Sequence, residues 1–262
     1  MRRSWLPLSI VALAAVAMAV HGPIPQLAHY HDFADRRAFL GIANAGDVLS
    51  NVPFAMVAVW GLAMLRGHAA RARLGTALAG WMLFLLALLA TAIGSSYYHL
   101  APDDARLAWD RLPIALACAG LLAATYAQTH RRAPGLTLAL GLAAFAVASV
   151  AWWSFTDLHG PGDLRPYLLL QGAPLVLIPL WQWIDGSPRA QRWALAAAIA
   201  LYALAKAAEL GDHAVYDALG FASGHTVKHL LAAAASAVLV AHMASSSRPS
   251  RAGALPACAA RR

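Results

Sequence analysis

Residues 74–98 read LGTALAGWMLFLLALLATAIGSSYY, without one Asp, Glu, Lys or Arg. A helix rises about 1.5 Å per residue, so roughly 20 apolar residues cross a hydrocarbon layer about 30 Å thick. This run is long enough, and seven others accompany it near 5–20, 48–65, 112–128, 136–155, 167–184, 193–210 and 225–244. In hydrocarbon every backbone polar group needs an internal partner, so such runs are helices. The polar–apolar alternation of a lipid-facing barrel is absent. The expected fold is an all-α polytopic membrane bundle, a seven-helix core plus one N-terminal hydrophobic helix.

Composition agrees. Of 262 residues, 60% are hydrophobic and 12% charged, with mean hydropathy +0.57; soluble chains carry about 25% charged residues. Two cysteines, Cys118 and Cys258, make no disulfide framework. We divide the chain into 1–20, an anchor helix or a signal peptide ending in Ala17-Met18-Ala19; 21–47, an outer loop and the start of the core; 48–244, the core; and 245–262, a polar tail expected to be disordered.

The net charge of +8 invites a nucleic-acid reading, but its distribution gives another. With the N-terminus inside, cytoplasmic segments hold thirteen arginines: 2, 3, 66, 71, 73, 131, 132, 189, 192, 248, 251, 261 and 262. The opposite side holds five, Arg36, Arg37, Arg106, Arg111 and Arg165. That is the positive-inside asymmetry of a membrane protein, and no nucleic-acid partner is needed to explain it. The expected location is a bacterial inner membrane, with the C-terminus cytoplasmic.

Ionisable groups in membrane helices are costly and therefore functional candidates. Three segments carry them: Gly94-Ser95-Ser96-Tyr97-Tyr98-His99, Asp110-Arg111-Leu112-Pro113 and His225-Thr226-Val227-Lys228-His229. Residues four apart share a helix face, so Ser95 lies over His99 and His225 over His229. In the topology above all three segments reach the outer leaflet. Three neutral imidazoles suit zinc and leave a fourth position for water, whose pKa falls to about 7 when bound. Asp110 is placed to carry a proton and Ser95 to steady an oxyanion. Taken singly, each has a plainer reading: surface histidines, a packing serine, and an aspartate near a helix start.

Together, Gly94-Ser95-x-x-x-His99, Asp110-x-Leu112-Pro113 and His225-x-x-x-His229 resemble the alkaline ceramidases, within a superfamily of seven-helix membrane hydrolases that includes adiponectin-type receptors. Ser50-Asn51 is similar to the Ser-Asn of the first family helix, and the resemblance spans about residues 30–244. It implies a bacterial member of that family, with Zn2+ on His99, His225 and His229. It also implies catalysis by Ser95 and Asp110, and hydrolysis of the N-acyl amide of ceramide or a related membrane lipid. It further suggests a Ca2+ site at Asp32, Asp35 and Asn44, with Asp47 nearby, although Arg37 stands where a neutral ligand is expected and Asn44 where the family has an acid. The alternative there is a solvated acidic loop with local arginine pairs.

His29 and His31 form a possible second metal patch, with solvated loop histidines as the plainer reading. Lys206, Glu209 and Asp212 suggest an ion pair inside the bundle, or else the lining of a substrate entrance. Two other functions stay open: a lipid-sensing, receptor-like protein with structural zinc, and a small transporter relaying protons through His, Asp and Glu. Oligomeric state and acyl-chain preference are not encoded in any motif.

Overall fold

The computed structural model describes residues 5–130 and 133–246. The expected arginines at 2, 3, 131, 132 and from 248 onward, Cys258 and most of the polar tail lie outside them. Eleven α-helices follow in order among the described residues: α1 (Leu6–His21), α2 (Ala45–Leu49), α3 (Val52–Met64), α4 (His68–Leu74), α5 (Leu78–Leu100), α6 (Asp104–Thr129), α7 (Gly135–His159), α8 (Arg165–Ile184), α9 (Arg189–Leu210), α10 (Asp212–Leu219) and α11 (Gly224–Ser246). No strand occurs among the described residues, only one isolated bridge between Phe39 and Ile42. Seven helical segments are long and apolar enough to cross a membrane. The protein is an all-α membrane bundle, with α1 as the additional hydrophobic helix.

Several boundaries differ from the reading of apolar runs, each for a local reason. The first core run breaks at Ser50-Asn51, between α2 and α3. Pro53 has no N–H for the Leu49 carbonyl, and the Asn51 amide donates instead to the Asp47 carbonyl at 2.9 Å. Helix α6 begins eight residues before the run at 112. Asp103 caps it by accepting from the Arg106 amide at 2.7 Å, so Asp110 stands two turns inside the helix and not at its start. The stretch 211–224, expected as a loop, contains α10. Helix α11 runs two residues into the expected tail.

Helices α5 and α6 meet almost backbone to backbone. A side chain on Gly80 or Gly120 would overlap the backbone of the other helix, and one on Gly94 would overlap the Trp109 carbonyl. Small residues are how membrane helices approach closely. Pro113 lacks the N–H that would pair with the Trp109 carbonyl, and that carbonyl faces Gly94. The contact places Ser95 beside Asp110. Gly224 plays the same part at the start of α11, where a Cβ would overlap the Ala208 carbonyl of α9.

The segment between α1 and α2 folds over this end of the bundle. Phe33, 6% exposed, lies edge-on against His99 and His225, with ring centres 4.8 and 4.4 Å away. Asp212 ties the segment down, accepting from the Ala34 amide at 2.9 Å and from the His225 amide at 2.7 Å. Asp163, before α8, accepts from the Ile24 amide, the Trp152 indole and Arg165. Burial works to raise the Asp163 carboxyl, but these bonds outweigh it and hold it below the usual carboxylate range.

Candidate metal centre

His99 is the penultimate residue of α5, while His225 and His229 stand in the first two turns of α11. All three are at most 5% exposed. Their ring centres lie 4.7 to 5.0 Å apart, and one ligand atom from each falls within 4.8 Å of the others. Among the described residues this is the one group of three or more His, Cys, Asp or Glu so placed. Two of the three segments singled out in the sequence, 94–99 and 225–229, therefore meet at the histidines.

One edge of the donor set matches a tetrahedral ion, at a separation that also lets the two rings share a hydrogen bond. The Nε2 atoms of His99 and His225 are 3.2 Å apart, close to the roughly 3.3–3.4 Å edge of a tetrahedron with bonds of about 2.0–2.1 Å. Ser50 Oγ donates to the Asp47 carbonyl at 3.0 Å and lies 2.8 Å from His229 Nδ1. With its one proton committed, the hydroxyl accepts from Nδ1–H, which leaves His229 Nε2 unprotonated for a metal. His99 Nδ1 is buried without a partner, while the His99 carbonyl accepts from Asn44 Nδ2 at 2.8 Å. No carboxylate pairs with the three rings among the described residues.

Ser95 and Asp110, 1% and 5% exposed, join His229 in the wall of a cavity of about 470 Å³. Ser95 and the Asp110 carboxyl are neighbours in this wall. Deeper walls are apolar, with Phe84, Leu88, Leu121 and Leu195 among them. Glu209 faces the same space and binds both Lys206 and Lys228, the latter at 3.2 Å. The ion pair expected for Lys206 and Glu209 is present, with the lysine exposed, and Lys228 extends it on the buried side. Asp212 instead caps α11.

Asp32, Asp35 and Asn44 each have a partner within the protein. Asp32 pairs with Arg36 at 2.6 Å, and His213 lies 3.6 Å from its second oxygen. Asp35 binds Arg37 through both oxygens, at 2.8 and 2.7 Å. Arg37 in turn reaches the Gly220 and Phe221 carbonyls. These bonds hold the Asp35 carboxyl below its ordinary value and raise the Arg37 guanidinium. Asn44 is engaged with His99. Asp47 is fully buried and accepts from Thr226 and Ser223 through one oxygen, at 2.7 and 3.1 Å. His31, half of the possible second metal patch, lies between the Tyr98 hydroxyl at 2.8 Å and Asp104 at 3.0 Å, while His29 stays exposed.

Sequence reasoning underweighted two residues. Ser50 entered only through resemblance, yet it orients His229. Arg111 was counted as an outer-loop charge, yet it is 3% exposed and lines the cavity. Its place directly after Asp110, inside a helix with a buried face, was the available signal.

No protein-family model, curated protein or solved structure matches the chain. Its functional reading rests on this geometry.

Proposed function

We propose that the protein is a membrane-embedded zinc amidohydrolase of the alkaline ceramidase type, cleaving the N-acyl amide of ceramide or a related lipid to fatty acid and amine. What carries the reading is one juxtaposition: a cluster of three buried imidazoles, one of which, His229, shares the wall of a largely apolar cavity with Ser95 and Asp110. His99, His225 and His229 would hold the ion. Bound there, zinc supplies a Lewis acid that activates water and polarises a carbonyl at neutral pH.

The chain's own groups do the rest. The Ser95 hydroxyl donates to the amide oxygen as negative charge develops on it. Asp110 accepts the proton released by the attacking water and returns it to the departing nitrogen. The apolar walls take the acyl chain out of water, and Phe33 excludes bulk solvent above His99 and His225. The loop carboxylates are engaged by arginines, so the proposal includes zinc alone. We place the site at the periplasmic leaflet of a bacterial inner membrane.

Hydrolysis of a labelled ceramide panel by detergent-purified protein, with zinc measured on the same sample, tests the proposal. Zinc with no product from any lipid amide would sink it. Reporter fusions test the topology: segments 101–111 and 211–224 belong on one face, and opposite faces would break the shared site. The cavity-facing Asp110, Glu209, Lys206 and Lys228 favour one second reading, a proton-coupled transporter, which needs no zinc.

A further inference from the structure

Arg111 follows Asp110 in sequence and is 3% exposed, but the proposed hydrolysis does not use it. Its guanidinium sits among aromatic rings, 4.0 Å from the Trp153 ring centre, 5.2 Å from Tyr30 and 5.6 Å from Tyr167. None of the ion pairs among the described residues includes it. Nη2 donates to Gln26 Oε1, whereas Nη1, like the Gln26 amide nitrogen, is buried without a partner among the described residues. Both side chains line the cavity that Ser95, Asp110 and His229 also line.

A buried guanidinium without a carboxylate is costly. Aromatic faces offset part of that cost, but they leave the Nη1 donor unmade. The remaining charges compensate it only in part. Three cations, Arg111, Lys206 and Lys228, face the cavity with two acids, Asp110 and Glu209, and both lysines already bind Glu209. What is missing is an acceptor that is negative and planar or tetrahedral; the cavity that both side chains line is the space it would come from, after the wall shifts to uncover Nη1.

We propose that Arg111, with the Gln26 amide, receives an oxyanion on the amine half of the substrate. The preferred ligand is then an acyl amide bearing a carboxylate or a phosphate, both of which the guanidinium fork matches, rather than neutral ceramide. The word substrate rests on the amidase reading; the binding preference does not.

The test uses the purified full chain and three labelled amides of one acyl length: an N-acylglycine, an N-acylethanolamine phosphate and the neutral N-acylethanolamine. Binding and hydrolysis are measured on the same preparations. One or both anionic compounds should bind roughly 10- to 100-fold tighter than the neutral one. The two anionic arms separate carboxylate from phosphate as the source. In Arg111→Gln the ratio of anionic to neutral affinity should shrink to about threefold or less. Should that variant fail to fold, Gln26→Leu and the wild-type selectivity still decide, the former expected to weaken anionic binding alone. Equal wild-type binding of all three overturns the inference. Anion preference without any turnover leaves the inference standing and removes the amidase reading. Ceramide turnover without anion preference does the reverse.

Discussion

The histidine cluster and the acidic loop above it both offer textual metal ligands, yet they differ in what their donors already do. In the loop, Asp32 is paired with Arg36 and Asp35 with Arg37, and the Asn44 amide is on a carbonyl. In the cluster, two Nε2 atoms face each other at 3.2 Å, a third ring is turned toward them by Ser50, and one Nδ1 has no partner. A metal site needs ligand atoms that fold together and remain uncommitted, because buried polar groups otherwise find partners inside the protein. Ligand identity alone does not separate the two regions.

The sharpest way to break this contrast is to remove one imidazole. His225→Ala or His229→Ala should lose bound zinc to background, because two histidines compete poorly with water. Metal analysis of the purified variants measures it, and full occupancy in either would move the metal elsewhere. Asp110→Asn and Ser95→Ala leave all three rings in place and should keep zinc. Hydrolysis should nevertheless fall by roughly 10²–10⁴-fold for the first and on the order of 10²–10³-fold for the second. Unchanged turnover in Asp110→Asn would reduce that residue to a packing role.

A smaller effect probes how the cluster is held. Gly94→Ala pushes a methyl group into the Trp109 carbonyl and should destabilise the α5–α6 contact by about 1–3 kcal/mol, seen as an earlier thermal transition in detergent. If that transition stays put, the backbone contact is not what sets Ser95 beside Asp110.

The loop should give the weakest response. Chelating calcium is expected to leave stability unchanged, since Arg37 already satisfies Asp35. Acid is expected to matter there instead. Asp35 and Asp163 both have folded carboxyls depressed below their unfolded values. Their contribution is therefore present above the unfolded pKa of about 3.9 and is lost as pH falls below it toward the folded value. Unfolding followed from pH 6 downward should show the loss below about pH 4 in wild type, and a smaller one in Asp35→Asn. A calcium-dependent transition that disappears in Asp32→Ala would restore the metal reading of the loop.

Much of the bundle was legible from composition, because a membrane segment must satisfy its own backbone and announces itself by length. The breaks were less so. The gap at Ser50-Asn51 and the early start of α6 depend on Pro53 and on the Asp103 cap, single residues within or beside otherwise continuous patterns. The three histidines were legible too, since helical spacing put two on one face and charge asymmetry put the third at the same end. Arg111 was misplaced for a physical reason: an arginine near a run's edge reads as solvated, and only the rings of Trp153, Tyr30 and Tyr167 show that it is inside.

The sequence by itself determined an all-helical chain, a seven-helix membrane core plus one N-terminal hydrophobic helix, and it nominated Ser95, His99, Asp110, His225 and His229. Those are consequences of hydropathy and helical period, both local. The tertiary structure decided which nominated donors stay uncommitted. It gave Asp35 to Arg37, turned His229 through Ser50, folded Phe33 over the rings and set Arg111 in the cavity wall outside every ion pair among the described residues. Each of these depends on partners far apart in the chain, or on burial, and burial is a property of the packed whole.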